Sequence, residues 1–278
     1  MLEEALEQCG SYERRLSRFT PGSDVWRINH AAGEPVEVDQ DTLAILTCAE
    51  EMRVRSGGAF NCAIGSVVEL WDFSGATTSL PEADKLQEAK SRMEHARITI
   101  EDNSVCVPKG TVIDLGGIAK GFICDQIAAF LCNSGVTCGV LNFGGNVRTI
   151  GEHPKGRPWQ VGLQTPSAER DTSVFAAVES VNTSVVTSGI YERAFVLDGR
   201  IYHHILDPRT CYPTTSTITS ATVVCKDGML ADALTTALLI MGAEEGLPFA
   251  QSFGVEALTL NLQGKLTATP GFPFAANK

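Results

Sequence analysis
The 278-residue sequence contains no apolar run approaching the roughly 20 residues that span a bilayer, so no transmembrane helix is expected. Its opening stretch, MLEEALEQCGSYERRL, is charged and amphipathic and lacks the continuous apolar core of a secretory signal. Positive charge is scarce. Lys and Arg number 22 against 33 Asp and Glu, a net charge of −11, which argues against binding nucleic acid or an anionic membrane. Any site for a polyanionic nucleotide must therefore be screened locally, by a metal, backbone N–H groups or a few basic side chains. No C-x-x-C pair occurs among the nine cysteines, and their scatter and odd number fit reduced thiols rather than a disulfide framework or zinc site. A cytoplasmic location is the matching expectation, an export or lipoprotein signal ahead of these residues being the alternative. Low-complexity tracts, long linkers and repeats are also missing, so residues 1–278 are expected to form one domain, built as one body or as two intimately packed lobes.

What is present is ordinary globular material, 44% hydrophobic and 20% charged, long enough to bury a sizeable core. Residues 1–19 read as a helix. A second helix is expected from an Asp41 N-cap through Leu43, Leu46, Ala49 and Met52, closed by Gly57 and Gly58, and a third over Glu82 to Ala96. Strands are expected at 98–106 and 111–115 around the turn Pro108-Lys109-Gly110, and Val140 to Phe143 reads as a buried strand. Further strands suit 159–164, 194–197, 217–225 and 256–262. Helices are expected after Gly116-Gly117, with Ile118, Phe122, Ile127 and Leu131 in phase, and over Ala231 to Met241. Hairpins interspersed with helices indicate an α+β fold rather than a doubly wound sheet.

Four segments concentrate chemistry. In Asp114-Leu-Gly-Gly-Ile-Ala-Lys120-Gly121, glycines at a helix start can bring backbone N–H groups to an anion and Lys120 can add a full charge; a tight turn with a solvated lysine fits equally well. Asn142-Phe-Gly-Gly-Asn-Val-Arg148 is either a close approach to a ligand or an ordinary hairpin. Thr187-Ser-Gly-Ile-Tyr191-Glu-Arg193 is followed by His203-His204-Ile-Leu-Asp207-Pro-Arg209-Thr210. There a histidine can serve as base for a hydroxyl, or both histidines are exposed beside an Asp-initiated turn. Asp232 and Thr236 share a helix face as hard oxygen ligands suited to Mg²⁺, or Asp232 is a helix cap and Thr236 bonds back to a carbonyl.

Taken together and in order, these segments resemble the FAD:protein FMN transferases, the ApbE-like flavin transferase family. The matching stretches are DLGGIAKGF, LNFGGNVRTIG, the strand from Pro158 to Gly162, VVTSGIYER, HHILDPRT and LADALTTALLIMG. LSRFTPGSDVWRINHAAG and GGAFNCAIGSVVELWDF extend the likeness upstream, so that it runs from about Leu16 to Gly242. The resemblance implies an ApbE-like, T-fold-like α+β architecture: two closely packed lobes of helices and mixed or antiparallel sheet, with FAD between them and Mg²⁺ at its pyrophosphate. It implies metal contacts from Asp232, Thr236 and the Ala119 carbonyl. It assigns Asn29, Asp114, Gly116, Gly117 and Lys120 to the flavin nucleotide, with Trp71 and Tyr191, and makes His204 the active-site base. The implied reaction is attack of an acceptor-protein threonine on the FMN phosphorus with release of AMP. An FAD pyrophosphatase using the same metal, and a non-catalytic FAD carrier, are the rivals.

Three departures from the family pattern stand out. Cys211 replaces the glycine that usually follows the Asp-Pro-x-Thr turn, at a cost of about 1 kcal/mol if the position has positive φ. Asn61 replaces an aspartate in Gly58-Ala-Phe-Asn61. The strand that the family pattern places ahead of the first helix is expected to be missing, either because the sequence starts late or because the lobe is built differently. Separately, Asp72-Phe-Ser74-Gly-Ala-Thr77 resembles the Asp…Ser/Thr-Gly-Ala-Thr acceptor motif, which makes self-flavinylation of Thr77 an alternative to coincidence.

Overall fold
A computed structural model describes residues 1–73, 79–166 and 173–276. The chain forms two compact units: a first of residues 9–119 and 193–214, and a second of residues 1–8, 120–192 and 215–278. Because each unit is assembled from separated stretches, the chain leaves the first unit at Ala119, returns at Arg193 and leaves again after Thr214.

The chain opens with α1 (Leu2–Leu16), whose Glu3 and Glu4 at one end and Arg14 and Arg15 at the other complement the helix dipole. In the first unit, α2 (Asp24–His30) starts at Ser23, which accepts the Trp26 N–H. The short strand β1 (Val36–Glu37) precedes α3 (Gln40–Arg55). Asp39, not Asp41, caps α3 by accepting the Asp41 N–H, because the buried Asp24 takes the Asp39 N–H and the Thr42 hydroxyl and fixes where the helix begins. Gly57 and Gly58 end the helix as expected, both at positive φ. One short turn, α4 (Gly65–Val68), precedes α5 (Ala83–His95), which runs close to the sequence-based bounds.

The expected long strand over 98–106 is instead a tight hairpin, β2 (Thr99–Glu101) and β3 (Ser104–Cys106), with Asp102 at φ 50° in its turn. β1 and β2 flank β3, all antiparallel. Residues 111–115 form no strand but an extended run held by the Ile64–Val112 bridge and by the Asp114 N–H to Cys62.

α6 (Ala119–Asn133) carries the chain into the second unit. There β4 (Gly139–Phe143) and β5 (Asn146–Ile150) form a hairpin whose turn, Gly144-Gly145, has both residues at positive φ. β4 is an edge strand with Val140 45% exposed, so the expectation of a buried strand is corrected: apolar composition does not reveal edge position. β6 (Trp159–Gln164) pairs with β7 (Val174–Ser180), and β8 (Ser184–Gly189) joins the main sheet.

Back in the first unit, β9 (Ala194–Leu197) and β10 (Arg200–His203) form one hairpin, and β11 (Leu206–Asp207) pairs with β12 (Tyr212–Pro213). Last come β13 (Ile218–Cys225), α7 (Gly228–Met241), α8 (Ala243–Gln251), β14 (Glu256–Asn261) and β15 (Leu266–Ala268). The six-stranded sheet of the second unit is antiparallel throughout, in the order β15-β14-β13-β8-β5-β4. α7 packs along β13 and β8 and is apolar nearly all round, as a helix sunk in a core must be; Leu234, Leu238 and Leu239 are completely buried. A second cluster, Leu163, Val178, Val185, Leu258 and Phe272, fills the space beside β6 and β7. The mixed architecture of helices and antiparallel sheets is the α+β class expected from sequence.

Candidate functional site
In the first unit the Asp114 loop is held from several sides. The Asn29 amide binds the Ile113 backbone twice, donating to its carbonyl at 3.0 Å and accepting its N–H at 2.7 Å. Asp114 accepts the Gly116 N–H at 2.8 Å, and its other oxygen lies 3.0 Å from the Arg18 guanidinium, which also pairs with Glu69. Gly116 is exposed, Gly117 half-buried, and neither lies at positive φ. At Gly116 small size matters: a Cβ there would meet the Asp114 carboxylate at 3.0 Å. Ala119 then opens α6.

Trp71 is buried in an aromatic cluster of the same unit, stacked on Phe73 and edge-on to Tyr212, and its indole N–H donates to the Cys211 carbonyl at 3.0 Å. Cys211 is completely buried at φ 60°, so the strain expected where the family has glycine is present in the backbone. Burial pushes its thiol up to about 11, and that of Cys62 up to about 12, so neither is a thiolate at neutral pH.

The two histidines differ. His203 is 6% exposed, bonds the Thr214 backbone, and burial lowers its pKa from 6.5 to about 4, so it stays neutral; the picture of two exposed histidines fails here. His204 is half-buried, its N–H donating to the Arg193 carbonyl at 3.0 Å and its Nδ1 lying 3.3 Å from the same oxygen. A carbonyl only accepts, so a neutral ring donates Nδ1–H there and carries its lone pair on Nε2. Asp207 starts the following turn by accepting the Arg209 N–H and clamping the Arg209 guanidinium.

In the second unit several contacts meet at Asp232, and of the sequence-predicted residues Lys120 reaches its carboxylate. Its carboxylate, 1% exposed, accepts the Gly121 N–H from the first turn of α6 at 3.0 Å, an anion at a helix N-terminus. That contact needs glycine, since a Cβ on Gly121 would lie 2.0 Å from the Gly228 carbonyl. Lys120 places its ammonium 3.7 Å from the second Asp232 oxygen, and the Asn146 amide reaches the same oxygen at 3.5 Å. Asp232 does not cap α7. Asp227 does, accepting the Leu230 N–H, while Asp125 takes the Gly228 N–H. Thr235, rather than Thr236, bonds back to the Asp232 carbonyl; Thr236 lies half-buried one turn beyond Asp232. Tyr191 lies against Gly189, and burial raises its phenol pKa.

No group of three or more His, Cys, Asp or Glu side chains suited to a metal occurs among the described residues. The residues present still fit Mg²⁺, which takes one or two protein oxygens and completes its shell with water and phosphate. Among the described residues, one Asp232 oxygen has only long contacts, and the buried Asn146 amide oxygen beside it has no hydrogen-bond partner. Sequence reasoning missed Asn146, although it stands in the LNFGGNVRTIG stretch; its place directly after the Gly144-Gly145 turn was the available signal. It also missed Gly121 and Arg18, whose parts depend on contacts distant in sequence. The acceptor-like stretch ending at Thr77 runs into residues 74–78, outside the described residues.

Residues 2–259 match the ApbE family. A Klebsiella pneumoniae (strain 342) protein named FAD:protein FMN transferase is 37% identical over 84% of this chain and 73% of its own length. One of the same name from Treponema pallidum (strain Nichols) is 34% identical over 97% and 79%. The crystal structure of the Thermotoga maritima MSB8 ApbE protein superposes with a TM-score of 0.88 at 32% identity, covering 97% of this chain and 88% of that one. The Vibrio cholerae flavin transferase ApbE gives 0.85 at 28% identity, covering 98% and 88%. In sequence and in fold, this chain belongs to the ApbE family.

Proposed function
We propose that this protein is an FAD:protein FMN transferase that moves FMN from FAD to a threonine hydroxyl of an acceptor protein in a Mg²⁺-dependent reaction, releasing AMP. The names of its relatives support the transfer, and the Asp232 node supports the metal requirement. The observation that carries the reading is a nearly fully buried carboxylate that fixes the start of α6 and keeps one oxygen with long contacts only, on the helix face that also bears Thr236.

Asp232, Thr236 and the Ala119 carbonyl would hold the cation, and Lys120 would balance charge nearby. Bound Mg²⁺ supplies positive charge against the pyrophosphate oxygens. The Asp114 loop, with Gly116 and Gly117 and braced by Asn29, would position the nucleotide, and Trp71 and Tyr191 would shape the flavin site. His204 would accept the threonine proton at Nε2 as the hydroxyl oxygen bonds to the FMN phosphorus and the bond to the AMP phosphate breaks. The acceptor carries Ser/Thr-Gly-Ala-Thr, and residues 1–278 act as one catalytic domain.

Chromatography of FAD incubated with the enzyme tests this. AMP should appear in step with acceptor labelling, stop with EDTA, and fall at least 100-fold in Asp232→Ala and in His204→Ala. AMP and free FMN in equal amounts without labelled acceptor would mark a pyrophosphatase, and intact FAD a carrier.

A further inference from the structure
Asn146 is 2% exposed, at the first position of β5 directly after the Gly144-Gly145 turn. Its backbone is committed to the sheet, paired with Phe143 and with Val186. The turn brings this strand end tightly against β8, for a Cβ on Gly145 would lie 2.7 Å from the Thr187 carbonyl. Its side chain is thus delivered by rigid backbone into the interior beside α7, where its amide nitrogen points at the Asp232 carboxylate from 3.5 Å. Its amide oxygen is buried and has no hydrogen-bond partner among the described residues.

A buried amide oxygen left without a donor is costly, and a core that needed only shape would carry leucine here. The amide nitrogen is accounted for by the carboxylate, whereas the oxygen calls for a proton donor or a cation at the same spot. We infer that Asn146 is a further residue of the cation site, its amide nitrogen orienting Asp232 and its amide oxygen accepting a hydrogen bond from water carried by the cation. This rests on the metal reading of Asp232 given above. Asn146 is a positioning residue, of the kind that holds a ligating carboxylate from behind.

The test is Mn²⁺ binding to the intact protein, followed by electron paramagnetic resonance, with thermal unfolding measured with and without the cation. Wild type should bind Mn²⁺ and Asp232→Asn should lose it. Asn146→Leu should weaken binding about tenfold or more and shrink the Mn²⁺-induced rise in Tm, while unfolding near the wild-type temperature without cation. Asn146→Asp, of the same size, should bind Mn²⁺ more tightly and show a larger cation-induced rise from a lower starting Tm, because it sets a second carboxylate beside the first. Wild-type affinity in both Asn146 variants, with binding lost in Asp232→Asn, would overturn the role of Asn146 and leave the metal reading standing. No Mn²⁺ binding by wild type, or binding indifferent to Asp232→Asn, would overturn both.

Discussion
Cys211 sits where a side chain is least welcome, at φ 60° and completely buried, with its carbonyl holding Trp71. Replacement by glycine relieves backbone strain but removes a packed thiol, so the informative comparison is between two truncations. Cys211→Gly should be more stable than Cys211→Ala by about 1 kcal/mol in urea denaturation, since alanine keeps the strain and glycine does not. His203 provides a second residue-level test. Its folded pKa of about 4 lies below the ordinary 6.5, so its contribution is fully present above about pH 6.5 and is lost as pH falls from there towards 4. Denaturation at pH 7.5 and pH 5 should show wild type losing more stability between them than His203→Gln; equal losses would contradict a buried neutral imidazole. Neither property could be read from sequence. The family likeness marked position 211 as unusual, but only coordinates supply its φ, and nothing in His203-His204 says which ring faces inward.

Among the elements, the legible ones were those whose signals are local. α5 and α6 announce themselves by apolar periodicity, and the Gly144-Gly145 turn by its glycines. The illegible ones depend on partners far away in the chain: β1, β11 and β12 are two residues each and exist through pairing alone. The hairpin of β2 and β3 reads as one strand in sequence although Asp102-Asn103 is a turn-favouring pair, because strands of three residues each carry too little alternation to mark two separate runs. The candidate site was legible as motifs and illegible as contacts. Asp232 and Thr236 share a face as their spacing requires, yet the tie from Asp232 to Gly121 spans 111 residues. That tie makes the junction of α6 and α7 intolerant of bulk. Gly121→Ala should cost about 1–3 kcal/mol by overpacking against the Gly228 carbonyl and should depress FAD turnover even where the protein remains folded. Asp227→Ala, which removes the α7 cap, should cost about 1 kcal/mol and leave turnover largely intact.

At the scale of the whole molecule, the net charge of −11 means that a dinucleotide is held by local devices, not by a general positive field. The first unit carries Asn29, Trp71, Asp114, Gly116, Gly117, Ala119 and His204, and the second carries Lys120, Tyr191, Asp232 and Thr236. Among the described residues no helix is long and apolar enough to cross a membrane. Ligand binding to the folded state raises Tm by mass action, so FAD with Mg²⁺ should stabilise wild type, EDTA should remove the metal-dependent part, and Asp232→Ala should show that part neither before nor after EDTA. The central claim, transfer of FMN to a protein threonine, is tested most directly by intact-mass spectrometry. The protein, FAD and Mg²⁺ are mixed with a small acceptor containing Ser-Gly-Ala-Thr and with the same acceptor ending in alanine. The account predicts an FMN-sized increment on the threonine acceptor alone; an unmodified acceptor beside consumed FAD would contradict it.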